Sequence, residues 1–208
     1  VFITLEGPEG SGKTTQAHLL AKYLQDKGVD LILTREPGGT SIGDKIRDIL
    51  HDPGNTEMFP WAEVLLYSAS RAQLVAQTIR PSLAAGKVVV CDRYADSTMA
   101  YQGYGRGLDL IALREITKLA TGGLTPDLTL YIDIQPEQGL QRRLSGGDEW
   151  NRLDQEALDF HHRVRSGYLE LIAMAPERWV TVDGSPSVAE VHQAVRSVVD
   201  ERMVRVDT

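Results

Sequence analysis

The sequence predicts an α/β fold in which a five-stranded parallel sheet is covered by helices on both faces. Three observations carry this expectation. Apolar, β-branched segments alternate with amphipathic segments along the whole chain, the mark of βαβ crossovers. One apolar segment, Lys87-Val88-Val89-Val90-Cys91, is uninterrupted, as a strand buried on both faces should be. The first strand-like segment, Val1–Glu6, runs directly into a glycine-rich loop, Gly7–Gly12, and then a helix.

The elements follow in order. After the loop, Ala17, Leu20, Ala21 and Leu24 recur at helical spacing and Gly28 supplies a stop. Val29–Thr34 reads as the second strand. Ser41-Ile42-Gly43-Asp44 resembles a capping box and predicts a helix with Ile42, Ile46, Ile49 and Leu50 inward. A long helix spans Trp61 to Ile79 and should end near Pro81. The apolar strand at 87–91 is the third, a helix follows over Asp109–Gly122, and Leu128–Ile134 is the fourth strand. Pro136–Leu144 is helical, Ser145–Trp150 is polar, and Asp154–Met174 is helical again. Trp179–Val182 is a short fifth strand and Ser187–Met203 a last helix. The 208 residues suit one domain, 1–208, with a small lid over about 142–153.

Composition narrows the function classes. Hydrophobic residues make up 42% and charged residues 25%, values of a folded globular chain and not of a disordered or fibrous one. The longest apolar runs fall far short of the roughly 18 residues that would span a bilayer, so no membrane association is expected. With a strand-like opening, no signal peptide is expected within this sequence. A single cysteine, Cys91, cannot form an internal disulfide, and a reducing, cytoplasmic setting is expected. The net charge of −7 argues against nucleic acid held by the whole surface, while leaving room for a local basic pocket.

In parallel sheets ligands bind at the carboxyl ends of the strands. The first strand is followed by Gly7-Pro8-Glu9-Gly10-Ser11-Gly12-Lys13-Thr14, which is G-x-x-x-x-G-K-[ST] with the required strand before and helix after. Its backbone N–H groups and the helix N-terminus wrap phosphate, Lys13 reaches the β/γ-phosphates, and the Thr14 hydroxyl holds Mg²⁺. This is the P-loop, and it narrows the fold to a P-loop NTPase three-layer sandwich. Arg35-Glu36-Pro37-Gly38-Gly39 follows the second strand and Asp92-Arg93-Tyr94 the third. Asp92 ends a buried apolar strand, where a Mg²⁺ carboxylate belongs. Arg35 and Arg93 bring cations to the same edge; singly, each is as well read as a salt-bridge partner.

Tyr67 and Arg71 lie four apart and share a helix face, a cradle for a planar base or an ordinary cation–π contact. Ser97, Thr98, Tyr101 and Gln102 can present hydroxyls and an amide to the same cavity. The stretch from Arg142 to Asp154 combines arginines with Gly146-Gly147, which fits a mobile lid or a solvated loop. His18, His51, His161, His162 and His192 have no metal-ligand spacing and read as surface or packing residues.

Taken together, residues 1–15, Thr34-Arg35-Glu36-Pro37-Gly38-Gly39, Asp92-Arg93-Tyr94 with Ala100-Tyr101-Gln102-Gly103, Pro126-Asp127-Leu128-Thr129 and Asn151-Arg152-Leu153-Asp154-Gln155-Glu156 resemble the bacterial thymidylate kinase family across essentially the whole chain. The resemblance implies transfer of the γ-phosphoryl group of MgATP to dTMP, in support of dTTP supply, by a homodimer. It implies that Gly7 through Thr15 bind ATP, with Lys13 catalytic and Mg²⁺ held by Thr14 and Asp92. It implies that Arg93 grips the acceptor phosphate, with Arg35 and Arg47 in support and Glu36, Ser97 and Gln102 in the pocket. Tyr67 would stack on thymine, Arg71 and Thr98 would bond its edge, and Tyr101 would crowd the 2′ position. Glu9 would face the acceptor's 3′-hydroxyl. The P-loop has no arginine between Gly7 and Lys13, so Arg142 and Arg152 in the lid are the candidates for transition-state arginines, with Arg143 a lesser one. Rival readings are a deoxynucleoside kinase with Glu36 as base, a kinase for AMP or GMP, and a nucleotide-dependent switch. The guanine motif Asn-Lys-x-Asp of GTP switches is absent.

Overall fold

In the computed structural model, which describes residues 1–146 and 151–204, five parallel strands lie in the order β2-β3-β1-β4-β5. They are β1 (Phe2–Glu6), β2 (Leu31–Arg35), β3 (Val88–Asp92), β4 (Leu128–Asp133) and β5 (Trp179–Asp183). The expected three-layer α/β sandwich is the fold observed. Period-2 alternation divides the layers. Ile3 and Leu5 of β1 point to one face, where they pack with Leu20, Val90, Leu130, Val195 and Val199. Phe2, one residue away, points to the other face with Leu74, Ile79, Val89 and Tyr94. A third cluster, Val64, Tyr101, Phe160, Val164, Tyr168 and Trp179, lies beneath the second half of the chain. Full burial of each such aliphatic side chain contributes about 1.5–3 kcal/mol.

The helices are α1 (Lys13–Asp26), α2 (Ser41–His51), α3 (Pro60–Leu74), α4 (Arg80–Ala84), α5 (Ala95–Thr98), α6 (Leu110–Thr121), α7 (Pro136–Ser145), α8 (Leu158–Met174) and α9 (Val188–Val204). Among the described residues, no helix is long and apolar enough to cross a membrane. The start of α6 is capped by Asp109, which accepts from Ala112 N at 2.7 Å, and its end by the left-handed Gly122.

Several local expectations are corrected. The helix at 41–51 is capped by Thr40, whose hydroxyl accepts from Gly43 N, not by Ser41. Of its four apolar positions only Leu50 is fully buried; Ile42 and Ile49 are exposed, because α2 packs on α3 and not on the sheet. The long helix does not stop at Pro81. It widens into a π turn over Val75–Ile79 just before Pro81 and continues as α4, so the proline's missing N–H falls where the hydrogen-bond ladder is already rearranged. The second strand is shifted to end at Arg35. A helical segment at 95–105, α5 followed by a π turn over Met99–Gly105, was not foreseen. The expected lid falls partly on residues 147–150, outside the described residues.

Register is what assembles a site. Arg35 pairs with Asp92 across β2–β3, and Asp92 pairs with Leu5 across β3–β1. Three consecutive strands therefore deliver Arg35, Asp92 and Glu6 to one edge.

Candidate active site

That edge opens into a cleft of about 1270 Å³. The P-loop forms its floor. Gly10 has a φ of 69°, and a Cβ there would stand 1.9 Å from the Gly139 carbonyl oxygen, so only glycine fits where the loop crosses α7. Gly12, at a φ of 91°, turns the chain into α1. Lys13 is buried and donates to Pro8 O at 2.7 Å and Ser11 Oγ at 3.4 Å. Burial and the neighbouring Arg93 lower its pKa to about 8, against the pull of Glu9 and Asp92. Gly7, Pro8 and Ser11 shape the loop from behind, while Glu9, Gly10, Gly12 and Lys13 through Thr15 line the cleft.

Asp92 Oδ2 accepts from Thr14 Oγ1, and Asp92 Oδ1 is buried with no hydrogen-bond partner among the described residues. A buried, unpartnered carboxylate oxygen beside a threonine hydroxyl is a donor set that suits a hard divalent cation sharing phosphate oxygens. Mg²⁺ therefore fits the residues present.

Arg93 occupies the centre. It is the one non-glycine residue with positive φ, 69°, among the described residues, a conformation that costs an ordinary residue of order 1 kcal/mol. Its Nη2 donates to Glu9 Oε1 at 2.7 Å and to Tyr101 Oη at 3.0 Å. Its Nη1 reaches Gly7 O at 3.2 Å and Ser97 Oγ at 3.3 Å. Burial alone would raise the Glu9 pKa, but Arg93 and Lys13 overcome it and hold the carboxyl at about 2.

The far wall is built on α3. Arg71 is fully buried and paired with Glu36, Nε to Oε2 at 2.8 Å, and its other nitrogens donate to Thr98 Oγ1 at 3.1 Å and Tyr94 O at 3.2 Å. Tyr67, one turn earlier, lines the cleft beside Arg71 and Thr98. Arg47 donates to Pro37 O at 3.1 Å, and the exposed Arg35 pairs with Asp44 at 3.2 Å. The structure thus collects Glu9, Arg35, Glu36, Arg47, Tyr67, Arg71, Arg93, Ser97, Thr98, Tyr101 and Gln102 around one cavity.

The lid arginines are placed differently from one another. Arg142 lines the cleft and donates to Gly184 O at 2.8 Å and Ser185 O at 2.9 Å, the loop after β5. Arg143 also lines the cleft and pairs with Asp154 at 2.6 Å. Arg152 does not line it. Its guanidinium is buried against Glu63 and donates to Leu50 O at 3.2 Å.

Sequence reasoning missed three positions. Glu63 is fully buried and accepts from Gln102 at 2.6 Å and from Arg106 at 2.8 Å as well as from Arg152. The spacing 63, 67, 71 on one helix face was the available signal. His51 lies one turn after Arg47 and lines the cleft; burial and Arg47 lower its pKa to about 4, leaving the ring neutral. Glu6 is buried at the end of β1, and no pattern in the chain distinguished it from a surface carboxylate.

Comparison with known proteins gives the family. Residues 5–195 match the family described as thymidylate kinase. The chain is 54% identical to the thymidylate kinase of Roseiflexus sp. (strain RS-1), over 96% of this chain and 93% of that one. It is 50% identical to that of Deinococcus radiodurans, over 97% of each. The crystal structure of thymidylate kinase from Ehrlichia chaffeensis superposes with a TM-score of 0.78 at 35% identity, covering 96% of this chain and 98% of that one. With a P-loop, an arginine-lined cleft at the sheet edge and this similarity along nearly its whole length, the chain belongs to the thymidylate kinase family, the kinases that phosphorylate dTMP to dTDP.

Proposed function

We propose that the cleft performs this transfer with MgATP on the P-loop and dTMP against α3, and that Arg93 joins the two halves. The observation carrying this reading is the Arg93 guanidinium, which bonds the P-loop at Gly7 O and Glu9 and the opposite wall at Ser97 and Tyr101. A dianionic phosphate monoester is already nucleophilic near neutral pH, so the protein's task is positioning and charge neutralisation. Lys13 and the loop amides hold the donor phosphates. Thr14 and Asp92 hold Mg²⁺, which when bound neutralises charge on the donor's β/γ oxygens. Arg93 grips the acceptor phosphate with Arg35 and Arg47 in support. Tyr67 stacks on the base, Arg71 and Thr98 bond its edge, and Tyr101 restricts the 2′ position. Glu9, ionised at about 2, anchors Arg93 and faces the acceptor sugar.

Arg142 and Arg152 are the arginines assigned to the transition state. For Arg152 this role requires leaving Glu63 and the Leu50 carbonyl, and Glu63 would keep Arg106 and Gln102 as partners. Leu65 in the second turn of α3 and Ile111 in the first turn of α6, with Leu119 further along α6, are exposed apolar residues on two packed helices and support assembly as a homodimer. The buried Cys91 thiol, raised in pKa by its burial, fits a reducing cytoplasm.

ADP release with MgATP, compared across dTMP, thymidine, dUMP, AMP and dGMP, tests the assignment. Preference for dTMP supports the acceptor pocket. Turnover on thymidine alone would make Glu36 the base of a nucleoside kinase, and no acceptor dependence would leave only the P-loop.

A further inference from the structure

Beneath Arg93 lies a second layer of buried polar groups that the transfer reaction itself does not use. Glu6 is fully buried. Its Oε1 accepts from Tyr94 N at 2.8 Å, and its Oε2 accepts from Ser97 Oγ at 2.6 Å and Tyr168 Oη at 2.7 Å. The same two hydroxyl oxygens stand 3.3 and 3.4 Å from Arg93 Nη1. Each hydroxyl owns one proton. With both protons directed at Glu6, both oxygens have only lone pairs left, and these face the guanidinium. Glu9 does the same on the other side, taking the Tyr101 proton at 3.0 Å so that the Tyr101 oxygen accepts from Arg93.

We propose that Glu6 is a positioning residue for Arg93: by accepting both hydroxyl protons, its carboxylate turns Ser97 and Tyr168 into acceptors that hold the guanidinium in its cleft-facing orientation. The inference rests on the reading of Arg93 as the acceptor-phosphate residue. A neutral group at Glu6 donates one proton itself, so one hydroxyl must turn away from it, toward the other hydroxyl 3.0 Å off or toward the cation, and either way the pair loses acceptor capacity for Arg93 Nη1. The left-handed backbone at Arg93 carries a cost of order 1 kcal/mol that these side-chain contacts help to offset.

The charged groups facing Glu6 come from several elements. They are Arg93 after β3, Asp96 on α5, Lys13 on α1, Arg71 on α3 and Arg178 before β5. Arg178 holds Asp96 through both carboxylate oxygens, at 2.8 and 2.7 Å. Burial and Asp96 push the Glu6 pKa up to about 7, against Arg93, so the switch between the two hydroxyl arrangements falls near neutrality.

The test is steady-state kinetics with Tyr168→Phe, Glu6→Gln and, as reference, Arg93→Ala, each varied in dTMP and ATP between about pH 6.5 and pH 8. Tyr168→Phe keeps the ring and removes one acceptor; KM for dTMP should rise about fivefold to tenfold, with KM for ATP within about twofold of wild type. Glu6→Gln should show the same split at the upper pH. Its kcat/KM for dTMP should also lack the acid limb near pH 7, leaving only the limb of the dTMP phosphate near about 6. If Arg93→Ala raises KM for dTMP while both other variants leave it unchanged, or move both KM values together with the wild-type acid limb intact, the role of Glu6 is refuted. If Arg93→Ala itself leaves dTMP binding unchanged, the acceptor-phosphate reading falls first. Glu6→Gln may be replaced by Tyr168→Phe alone where the former does not fold, since the KM split decides the question by itself.

Discussion

Replacing Arg71 by methionine tests the construction of the acceptor wall. Its guanidinium and the Glu36 carboxylate are 1% and 3% exposed, with Nη2 and Oε2 2.7 Å apart. Arg71 bonds Glu36 Oε2, and Glu36 Oε1 has no hydrogen-bond partner among the described residues, so Arg71 is what balances that charge. Arg71→Met keeps the volume and strands a buried carboxylate, a loss of about 3–5 kcal/mol. For a chain of this length, each kcal/mol moves Tm by about 2–4 °C, so a fall of roughly 6–20 °C is expected. Adding Glu36→Gln removes the stranded charge and leaves an underbonded amide, which costs only about 1–3 kcal/mol. The double variant should therefore be the more stable of the two. The sign with pH follows. Burial raises the Glu36 pKa even with Arg71 present, and more without it, so the folded state holds its proton more tightly than the unfolded one. Stability of Arg71→Met is then highest at low pH and is lost as pH rises through the folded pKa. Denaturant melts of the single and double variants at about pH 5.5 and pH 8 measure all of this. Equal stability of the two at both pH values would show that Glu36 is not confined by Arg71, and the argument from burial would fail.

Other outcomes follow from the same geometry. Asp92→Asn should keep the contact with Thr14 but weaken the hold on the divalent cation, raising the Mg²⁺ concentration needed for half-maximal activity by roughly tenfold to a hundredfold; an unchanged Mg²⁺ titration would remove Asp92 from the cation site. Arg152→Ala should lower kcat by at least about tenfold with ATP and dTMP binding nearly intact, the pattern of a transition-state contact. Unchanged kcat with a lowered Tm would make Arg152 a strut between Glu63 and α2 instead. Glu6→Gln should flatten the pH dependence of stability. The folded pKa of about 7 lies above the ordinary 4.5, so wild type loses about 3 kcal/mol from this group as pH rises through 7, and the variant does not. Glu9 acts in the opposite sense: held at about 2, it stabilises the fold above pH 4.5 and loses that contribution as pH falls toward 2.

The order of elements, the parallel sheet and the P-loop were legible because each is written locally. A strand buried on both faces must be uniformly apolar, and a loop that wraps phosphate must have glycine where φ is positive. Tyr67 and Arg71 were legible for the same reason, since helical periodicity puts them on one face. The buried groups that hold the site's arginines from behind were not. Glu6 and Tyr168 look like any carboxylate or tyrosine in the chain, and helical spacing put Glu63 on the face of Tyr67 and Arg71 without naming its partners; these lie 162 residues apart for Glu6 with Tyr168 and 89 for Glu63 with Arg152. The proline at 81 and the glutamate-anchored Arg152 were likewise decided by tertiary structure, through a π turn upstream and a buried carboxylate across the fold. Sequence determined which side chains arrive at the carboxyl edge of the sheet. Only the packed structure decided how each cation is neutralised and aimed, because hydrogen-bond partners and burial are set by neighbours that local patterns do not contain.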